Sequence, residues 1–172
     1  LTSLFIRRKE NIFVNVYVMM VITLLSVIAA FFLAVMAVDC NRFVIRNYSC
    51  RVEKLKKSGR IILLSDRHNK SFGEKNEKLL SAVRRLSPDM ILIAGDMYTA
   101  EKNGDTDTAA ELVCALAADY PVYYGNGNHE QKTAFDTEKF GDMYQKFSKK
   151  IEKAGVCHLV NEKVYLPAFN MD

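Results

Sequence analysis

Residues 61–68 read IILLSDRH, and the same pattern recurs as MILIAGD at residues 90–96 and as YPVYYGNGNHE at residues 120–130. Each stretch begins with a short, continuous apolar run, which is typical of a strand buried on both faces of a parallel sheet. Each run is followed by polar residues, and Gly95 and Gly127 in these loops allow tight turns or a close backbone approach. The three stretches therefore predict three strands that each end in a polar loop.

Segments with a helical pattern separate and follow the predicted strands. Apolar residues recur at helical spacing over residues 79–86 and 109–118, and a longer amphipathic helix is predicted over residues 138–154, ended by Gly155. Strands that alternate with helices of this length imply a parallel sheet with right-handed crossovers. The predicted fold class is therefore α/β.

The loops after the three strands carry residue types suited to metal binding. The carboxyl ends of parallel strands meet at one edge of a sheet, so we expect Asp66, His68, Asp96, Asn128 and His129 to line one crevice. Carboxylate, imidazole and amide oxygen together suit a divalent ion such as Mn, Fe or Zn. Asp66 and His68 flank a single residue, and in an extended turn both side chains are able to grip one ion.

The N-terminal part of the chain predicts a transmembrane helix. Residues 12–38 form a run of 27 residues without a charge, and a helix of that length extends about 40 Å, against a hydrocarbon core of about 30 Å. A buried core helix would carry one polar face, whereas this run is apolar all round. The alternative is a cleaved signal peptide, because basic residues precede the run and Ala37 suits a cleavage site, but its apolar region is normally about 7–15 residues long. We expect a single-pass anchor at 12–38 in the cell membrane, after an N-terminal flank at 1–11.

Charge is distributed unevenly along the chain. Residues 1–60 hold 10 Lys and Arg against three Asp and Glu, whereas residues 61–172 hold 14 against 17. The folded part lacks the basic stripe of a nucleic-acid binder, so no nucleic-acid scaffold is expected as a partner. Basic residues after the helix favour a cytoplasmic C-terminal side, but long folded domains cross membranes largely regardless of charge, so the orientation stays open. The basic run at 42–57 is interpreted as solvated surface or as contact with anionic head groups of the lipid bilayer.

Residues 39–59 are interpreted as a juxtamembrane strand and linker. Phe43-Val44-Ile45 and residues 48–52 have the apolar character of a first strand of the following domain. The domain itself is expected to occupy residues 60–172.

Three motifs occur in the order Asp66-Arg67-His68, Gly95-Asp96 and Gly127-Asn128-His129-Glu130, each after a predicted strand. This arrangement resembles the calcineurin-like metallophosphoesterase superfamily, whose signature continues with a lone His and G-H-x-H. The resemblance covers about residues 60–161, and together with the apolar helix it looks like a membrane-anchored bacterial branch. It implies that residues 60–172 are the first βαβαβ half of a calcineurin-like αββα sandwich, truncated at the C-terminus.

The resemblance also implies a role for each matching residue. Asp66 and His68 would hold a first divalent ion, Asp96 would bridge two ions, and Asn128 would hold the second ion through its amide oxygen. His129 would contact the phosphate and the leaving oxygen as an electrostatic stabiliser or general acid. Two ions about 3.5–4 Å apart, of Mn, Fe or Zn, would neutralise the charge that develops during in-line attack on phosphorus.

Some residues depart from the superfamily pattern. Arg67 stands where an apolar residue is usual, and it is expected to point at substrate phosphate or at solvent. Thr99 replaces an Asp often seen three residues after the bridging one, which alters the support around the ligands. His158 lies in an apolar stretch and is interpreted as a strand residue rather than a ligand. The second His block and G-H-x-H do not occur before Asp172, so the chain is interpreted as a fragment of a longer product, the alternative being a degenerate site.

Two function classes follow. The first is a metal-dependent phosphoesterase that hydrolyses a phosphomonoester, phosphodiester or pyrophosphate at the membrane, with lipid-linked or nucleotide-sugar phosphates as expected substrates. The second is a catalytically silent, membrane-anchored module that keeps the fold for binding or assembly. Specificity in such folds resides in loops outside the metal-binding blocks, so the sequence does not select a substrate.

Overall fold

A computed structural model describes residues 2–53, 55, 57–167, 169 and 170, with side chains described from residue 15 onward. The chain divides into two compact units, residues 1–46 and residues 47–172.

The first unit is dominated by one long helix, α1, which spans Thr2–Cys40. Within it, the 26 residues Asn15–Cys40 are long and apolar enough to cross a membrane, and none of the apolar window is buried inside the structure. The helix predicted over residues 12–38 is therefore present and extends further at both ends. A helix of this kind near the N-terminus also meets the criteria of a signal sequence.

The strand character expected between residues 39 and 59 is wrong. Among the described residues of this segment, none lies in a strand. Val44 is 67% exposed and Tyr48 is 86% exposed, so these two apolar side chains are mostly accessible. An apolar segment forms a strand only where a neighbouring strand pairs with it, and apolar composition alone does not indicate whether such a partner is present.

The second unit contains a parallel sheet and five α-helices within its described residues. The strands lie in the order β1-β2-β3-β4 and all pair in parallel. Their bounds are Ile61–Leu64 for β1, Met90–Ile93 for β2, Val122–Gly125 for β3 and Cys157–Leu159 for β4. The helices are α2 (Glu77–Leu86), α3 (Asp107–Asp119), α4 (Asn128–Phe135), α5 (Thr137–Phe140) and α6 (Met143–Lys153), and a single 3₁₀ turn covers Glu74–Asn76.

The α/β fold class, the parallel sheet and the N-terminal apolar helix are as the sequence predicts, and the arrangement is consistent with the N-terminal part of a calcineurin-like fold. The single helix predicted over residues 138–154 is wrong in one respect. Gly141 has φ 61°, and this left-handed backbone divides the segment into α5 and α6. Helix α4 was not predicted, and it begins at the residue that follows Gly127.

One face of the sheet carries the helices. Phe147 of α6 packs against Tyr98 and Tyr124, with ring centroids 4.9 and 5.6 Å apart. Ile93 pairs in register with Tyr124 and therefore shares that face. The contacts run from α2 to α3, from α3 to α6 and from α6 to α4, so these four helices form one layer.

The expectation that the first strand is buried on both faces is wrong. Strand β1 lies at the edge of the sheet, where Ile61 is 39% exposed and Leu63 is 66% exposed. Leu63 pairs in register with Leu92, on the face opposite Ile93. In the described residues, the sheet therefore leaves part of one apolar face open at its β1 edge.

Candidate metal centre

The loop after β1 runs directly beside the loop after β2. The backbone amide of Asp66 donates to the carbonyl of Gly95 at 3.2 Å, and that of His68 donates to the carbonyl of Asp96 at 2.9 Å. Asp66, His68 and Asp96 all have positive φ, at 55°, 48° and 54°. Such conformations are uncommon outside glycine and persist where surrounding contacts hold them, often at functional sites.

The side chains of Asp66 and His68 face each other. His68 Nε2 lies 4.0 Å from Asp66 Oδ1, and the two side chains are 42% and 68% exposed. An ion bound about 2.1 Å from each atom bridges a gap of up to about 4.2 Å, so one divalent ion is able to reach both atoms only with a wide angle between them. Both groups are accessible to an incoming ligand.

The carboxylate of Asp96 lies against the start of α4. Its Oδ1 accepts a hydrogen bond at 2.8 Å from the backbone amide of His129. Asn128, the first residue of α4, is exposed. Asp96 therefore lies between the loop that carries Asp66 and His68 and the helix that carries Asn128 and His129.

His129 joins the loops after all three strands. Its ring packs edge-to-face on His68, with centroids 4.8 Å apart. Its Nδ1 accepts a hydrogen bond at 2.8 Å from the backbone amide of Ala100, so the proton of the neutral ring is on Nε2. Ala100 directly follows Thr99, the residue that stands where the superfamily often has an Asp. The backbone next to Thr99 thus supports His129.

The predicted residues are brought into one neighbourhood, but they do not form a closed cage. Among the described residues, no three side chains of His, Cys, Asp or Glu are grouped closely enough to hold an ion between them. The site is open, with paired donors on Asp66 and His68 and further oxygen donors on Asp96 and Asn128.

The structure holds the side chain of Arg67 within the fold. Arg67 is only 7% exposed, so the expected exposure to solvent is wrong. Its Nη2 donates to Asn76 Oδ1 at 2.7 Å, and its Nη1 donates to the carbonyl of Thr108 at 3.3 Å. Burial lowers the pKa of the guanidinium to about 10. Because Asn76 and Thr108 hold the guanidinium, this geometry lends no support to contact with a substrate phosphate.

His158 lies in β4, as its interpretation as a strand residue predicts. Its side chain is 3% exposed, with Nδ1 3.0 Å from Glu152 Oε1. Its Nε2 lies 2.8 Å from Asn126 Oδ1, and Asn126 in turn donates to the hydroxyl of Tyr144 at 2.8 Å. Both ring nitrogens are therefore engaged within the fold.

Sequence reasoning assigned no role to Glu130, the last residue of the third motif. Its side chain is fully buried and accepts hydrogen bonds from the loops after β2 and β3. Burial, followed by the nearby carboxylate of Glu130, strongly raises the pKa of Tyr124, whose hydroxyl donates to that carboxylate. The signal in the sequence was the motif itself, since an acidic residue directly after Asn128-His129 is part of the pattern.

The parallel sheet and the three converging loops are consistent with a domain of the calcineurin-like type. The sequence model of the family described as "Calcineurin-like phosphoesterase" matches residues 59–170, and the chain belongs to this family. A Caenorhabditis elegans protein that carries the name "Putative metallophosphoesterase" is 40% identical over 82 residues, which are 46% of this chain and 17% of the relative. The chain therefore spans less than a fifth of the length of that relative.

These matches confirm the predicted superfamily, whose members generally use a dinuclear metal site. The membrane-anchored bacterial branch stays a prediction.

Proposed function

We propose that the chain supplies the first half of a dinuclear metal site in a phosphoesterase that acts at a membrane. The observation that carries the proposal is the convergence of three loops in the family's motif order. The His68 amide bonds to Asp96, the Asp96 carboxylate accepts from the His129 amide, and the His68 and His129 rings pack together.

The resemblance to the superfamily supports a role for each residue. Asp66 and His68 would hold one ion, Asp96 would bridge, and Asn128 would contribute its amide oxygen to a second ion. Divalent ions bound there would polarise a phosphoryl oxygen and neutralise developing negative charge. Mn, Fe and Zn suit the mixed nitrogen and oxygen donors.

His129 is the candidate for proton and hydrogen-bond chemistry. Because the Ala100 amide occupies Nδ1, the Nε2–H group is the one available to donate to a phosphate or leaving oxygen. The ring is held by the backbone bond and by the His68 contact, which favours a fixed donor direction. This arrangement supports hydrolysis of a phosphomonoester, phosphodiester or pyrophosphate.

The membrane location rests on α1. Its apolar span Asn15–Cys40 supports a single-pass anchor in the cell membrane, and a substrate that is itself lipid-linked, or a nucleotide-sugar phosphate, is the proposed class. Alkaline carbonate should leave the protein in the membrane fraction, because a spanning helix is not held by charge. Release as a soluble species shortened by about 37 residues would instead support cleavage as a signal peptide.

A second candidate function is a catalytically silent module that keeps the fold for binding or assembly. The observation that favours it is the open donor set: the described residues contain no group of three His, Cys, Asp or Glu side chains placed to hold an ion. Mn²⁺ binding distinguishes the two candidates, since a silent module needs none.

The test uses Mn²⁺ binding and hydrolysis of an aryl phosphate by the full-length product of the gene that encodes this chain. Asp96→Asn and Asp66→Ala should each abolish both Mn²⁺ binding and hydrolysis of the aryl phosphate. Asp119→Asn is the matched control, because Asp119 forms a surface ion pair with Arg84 at 3.0 Å and takes no part in the three loops. Retained binding and hydrolysis in Asp96→Asn would refute the assignment.

A further inference from the structure

We infer that Glu130 is a positioning residue that sets the placement of Asp96 and of the start of α4 for metal binding. The inference rests on the proposed function and deepens it. It concerns how the ligands are held rather than which residues they are.

Glu130 is a fully buried carboxylate whose two oxygens accept four hydrogen bonds. Oε2 accepts from the backbone amides of Asp96 at 2.9 Å and Gly127 at 3.0 Å. Oε1 accepts from the backbone amide of Met97 at 3.0 Å and from the hydroxyl of Tyr124 at 2.6 Å. A carboxylate offers about four lone-pair positions, so its capacity is filled.

These donors come from the parts of the chain that carry candidate ligands. Asp96 and Met97 belong to the loop after β2, whereas Gly127 directly precedes Asn128 at the start of α4. A single side chain therefore ties the loop of the proposed bridging carboxylate to the helix of the proposed second ligand. A shift of the Glu130 carboxylate would move both.

The cost of burying this charge supports a specific role. An ionised carboxylate removed from water is strongly unfavourable unless it is paired or fully hydrogen-bonded. Among the described residues, the ion pairs do not include Glu130, so backbone amides and one hydroxyl provide the compensation. Hydrogen bonds to a charged acceptor are roughly twice as strong as neutral ones. Two of the four hydrogen bonds come from the consecutive amides of Asp96 and Met97. They hold the backbone at Asp96, whose φ is 54°.

The geometry also predicts how conservative substitutions fail. In Glu130→Gln the length is kept, but each carboxylate oxygen faces at least one backbone N–H, so the new NH₂ group must meet a donor wherever it points. In Glu130→Asp the charge is kept, but the side chain is about 1.5 Å shorter and does not reach both loops at once. Both variants should therefore weaken metal binding.

The experiment compares the full-length product of the gene that encodes this chain with its Glu130→Gln and Glu130→Asp variants. Val113→Ala is the control, because Val113 is a fully buried residue of α3 and its truncation lowers stability without touching the four bonds. Mn²⁺ affinity, read from the electron paramagnetic resonance of unbound Mn²⁺, should fall about 10–100-fold in both Glu130 variants, as for other groups that orient metal ligands. The control should bind Mn²⁺ as the wild type does.

Hydrogen exchange supplies a readout that needs no activity. The amides of Asp96, Met97 and Gly127 should lose protection in Glu130→Gln while those of α3 keep it. In the wild type, Zn²⁺ should raise the protection of the same three amides, since a ligand stabilises the arrangement that it binds. This measurement remains decisive if a variant does not fold.

The outcomes separate the inference from the proposed function. If the wild type binds Mn²⁺ and both Glu130 variants bind it as tightly as Val113→Ala, the inference is overturned and the function stands. If Zn²⁺ binds to the wild type and leaves the three amides unchanged, the inference is likewise overturned. If the wild type binds no Mn²⁺, the proposed function fails and the inference fails with it.

Discussion

The close approach of the loops after β2 and β3 makes Gly127 sensitive to a single added methyl group. A Cβ at Gly127 would meet the backbone nitrogen of Asp96 and would lie 2.6 Å from both Cγ and Oδ1 of its carboxylate. Gly127 has φ −91°, ψ −171°, which alanine adopts without strain. Gly127→Ala therefore perturbs the contact with Asp96 and not the local backbone conformation.

The magnitude follows from two opposing effects. Replacing glycine by alanine reduces the entropy of the unfolded chain and stabilises by about 0.4–1 kcal/mol. Overpacking a tight contact costs about 1–3 kcal/mol, and here the Asp96 amide is held by Glu130 and moves aside with difficulty. Gly125→Ala is the matched control, because its Cβ would be 3.8 Å from its nearest neighbour, the Ile93 carbonyl oxygen. The entropic gain cancels between the variants, so Gly127→Ala should be less stable than Gly125→Ala by about 1–3 kcal/mol.

Urea unfolding followed by tyrosine fluorescence measures this difference, since the chain has eight Tyr and no Trp. Mn²⁺ titration of the folded variants should also show weaker binding in Gly127→Ala, because the added methyl group displaces the Asp96 carboxylate. Equal unfolding midpoints and equal Mn²⁺ affinities in the two variants would refute the close approach of these loops.

Three further predictions address the core, a helix terminus and the D-x-H loop. Phe147→Ala should lower the free energy of unfolding by about 3–5 kcal/mol, because Phe147 is 1% exposed; a loss under half of this in urea unfolding would contradict the packing. Asp105→Ala should cost about 1 kcal/mol at pH 7, because the Asp107 amide bonds to the Asp105 carboxylate and lowers its pKa. A lowered carboxyl pKa stabilises the fold at pH values above the pKa of the unfolded chain. The difference in the free energy of unfolding between wild type and Asp105→Ala should therefore shrink below about pH 4. A larger difference at low pH, measured by urea unfolding, would contradict the argument. Arg67→Leu should leave the KM for an aryl phosphate unchanged in the full-length product, since the guanidinium is bound to Asn76. A raised KM would indicate that Arg67 contacts the substrate.

The strands were predictable because their signal is local. The runs IILL, MILI and VYY are continuous, apolar and bounded by turn residues, and parallel pairing then places the following loops at one edge. The convergence of Asp66, His68 and Asp96 therefore followed from topology. The same local pattern misjudged β1, because exposure at a sheet edge depends on what lies beyond it and not on the strand's own residues.

The features that sequence reasoning missed depend on partners distant in the chain. Helix α4 reads NHEQKTAF and buries Glu130 and Thr133, both polar, so it has no apolar stripe to detect. Arg67 is buried because Asn76, nine residues later, accepts its hydrogen bond. Gly141 is apparent in the sequence, but a glycine in the interior of a helix destabilises it by only about 1 kcal/mol relative to alanine. Such a glycine does not by itself indicate that the helix is divided.

Metal binding at the candidate site is expected to stabilise the fold. Asp66 and Asp96 lie on loops that touch, and Glu130 of α4 accepts a hydrogen bond from the Asp96 amide. Among the described ion pairs, only His68, 4.0 Å from Asp66, is paired with one of these three carboxylates. Like charges held together oppose folding, and a divalent cation relieves that repulsion. Mn²⁺ at 100 times its dissociation constant should therefore raise the free energy of unfolding by about 2.7 kcal/mol.

Asp96→Asn tests the source of this gain. The variant loses the central negative charge, so it should unfold at a similar or higher urea concentration than the wild type without Mn²⁺, yet gain little when Mn²⁺ is added. Asp119→Asn, on the surface beside Arg84, should keep the full gain. If Mn²⁺ stabilised Asp96→Asn as strongly as it stabilised Asp119→Asn, the ion would be bound elsewhere, and Asp96 would be a structural residue of the loop rather than the centre of the site.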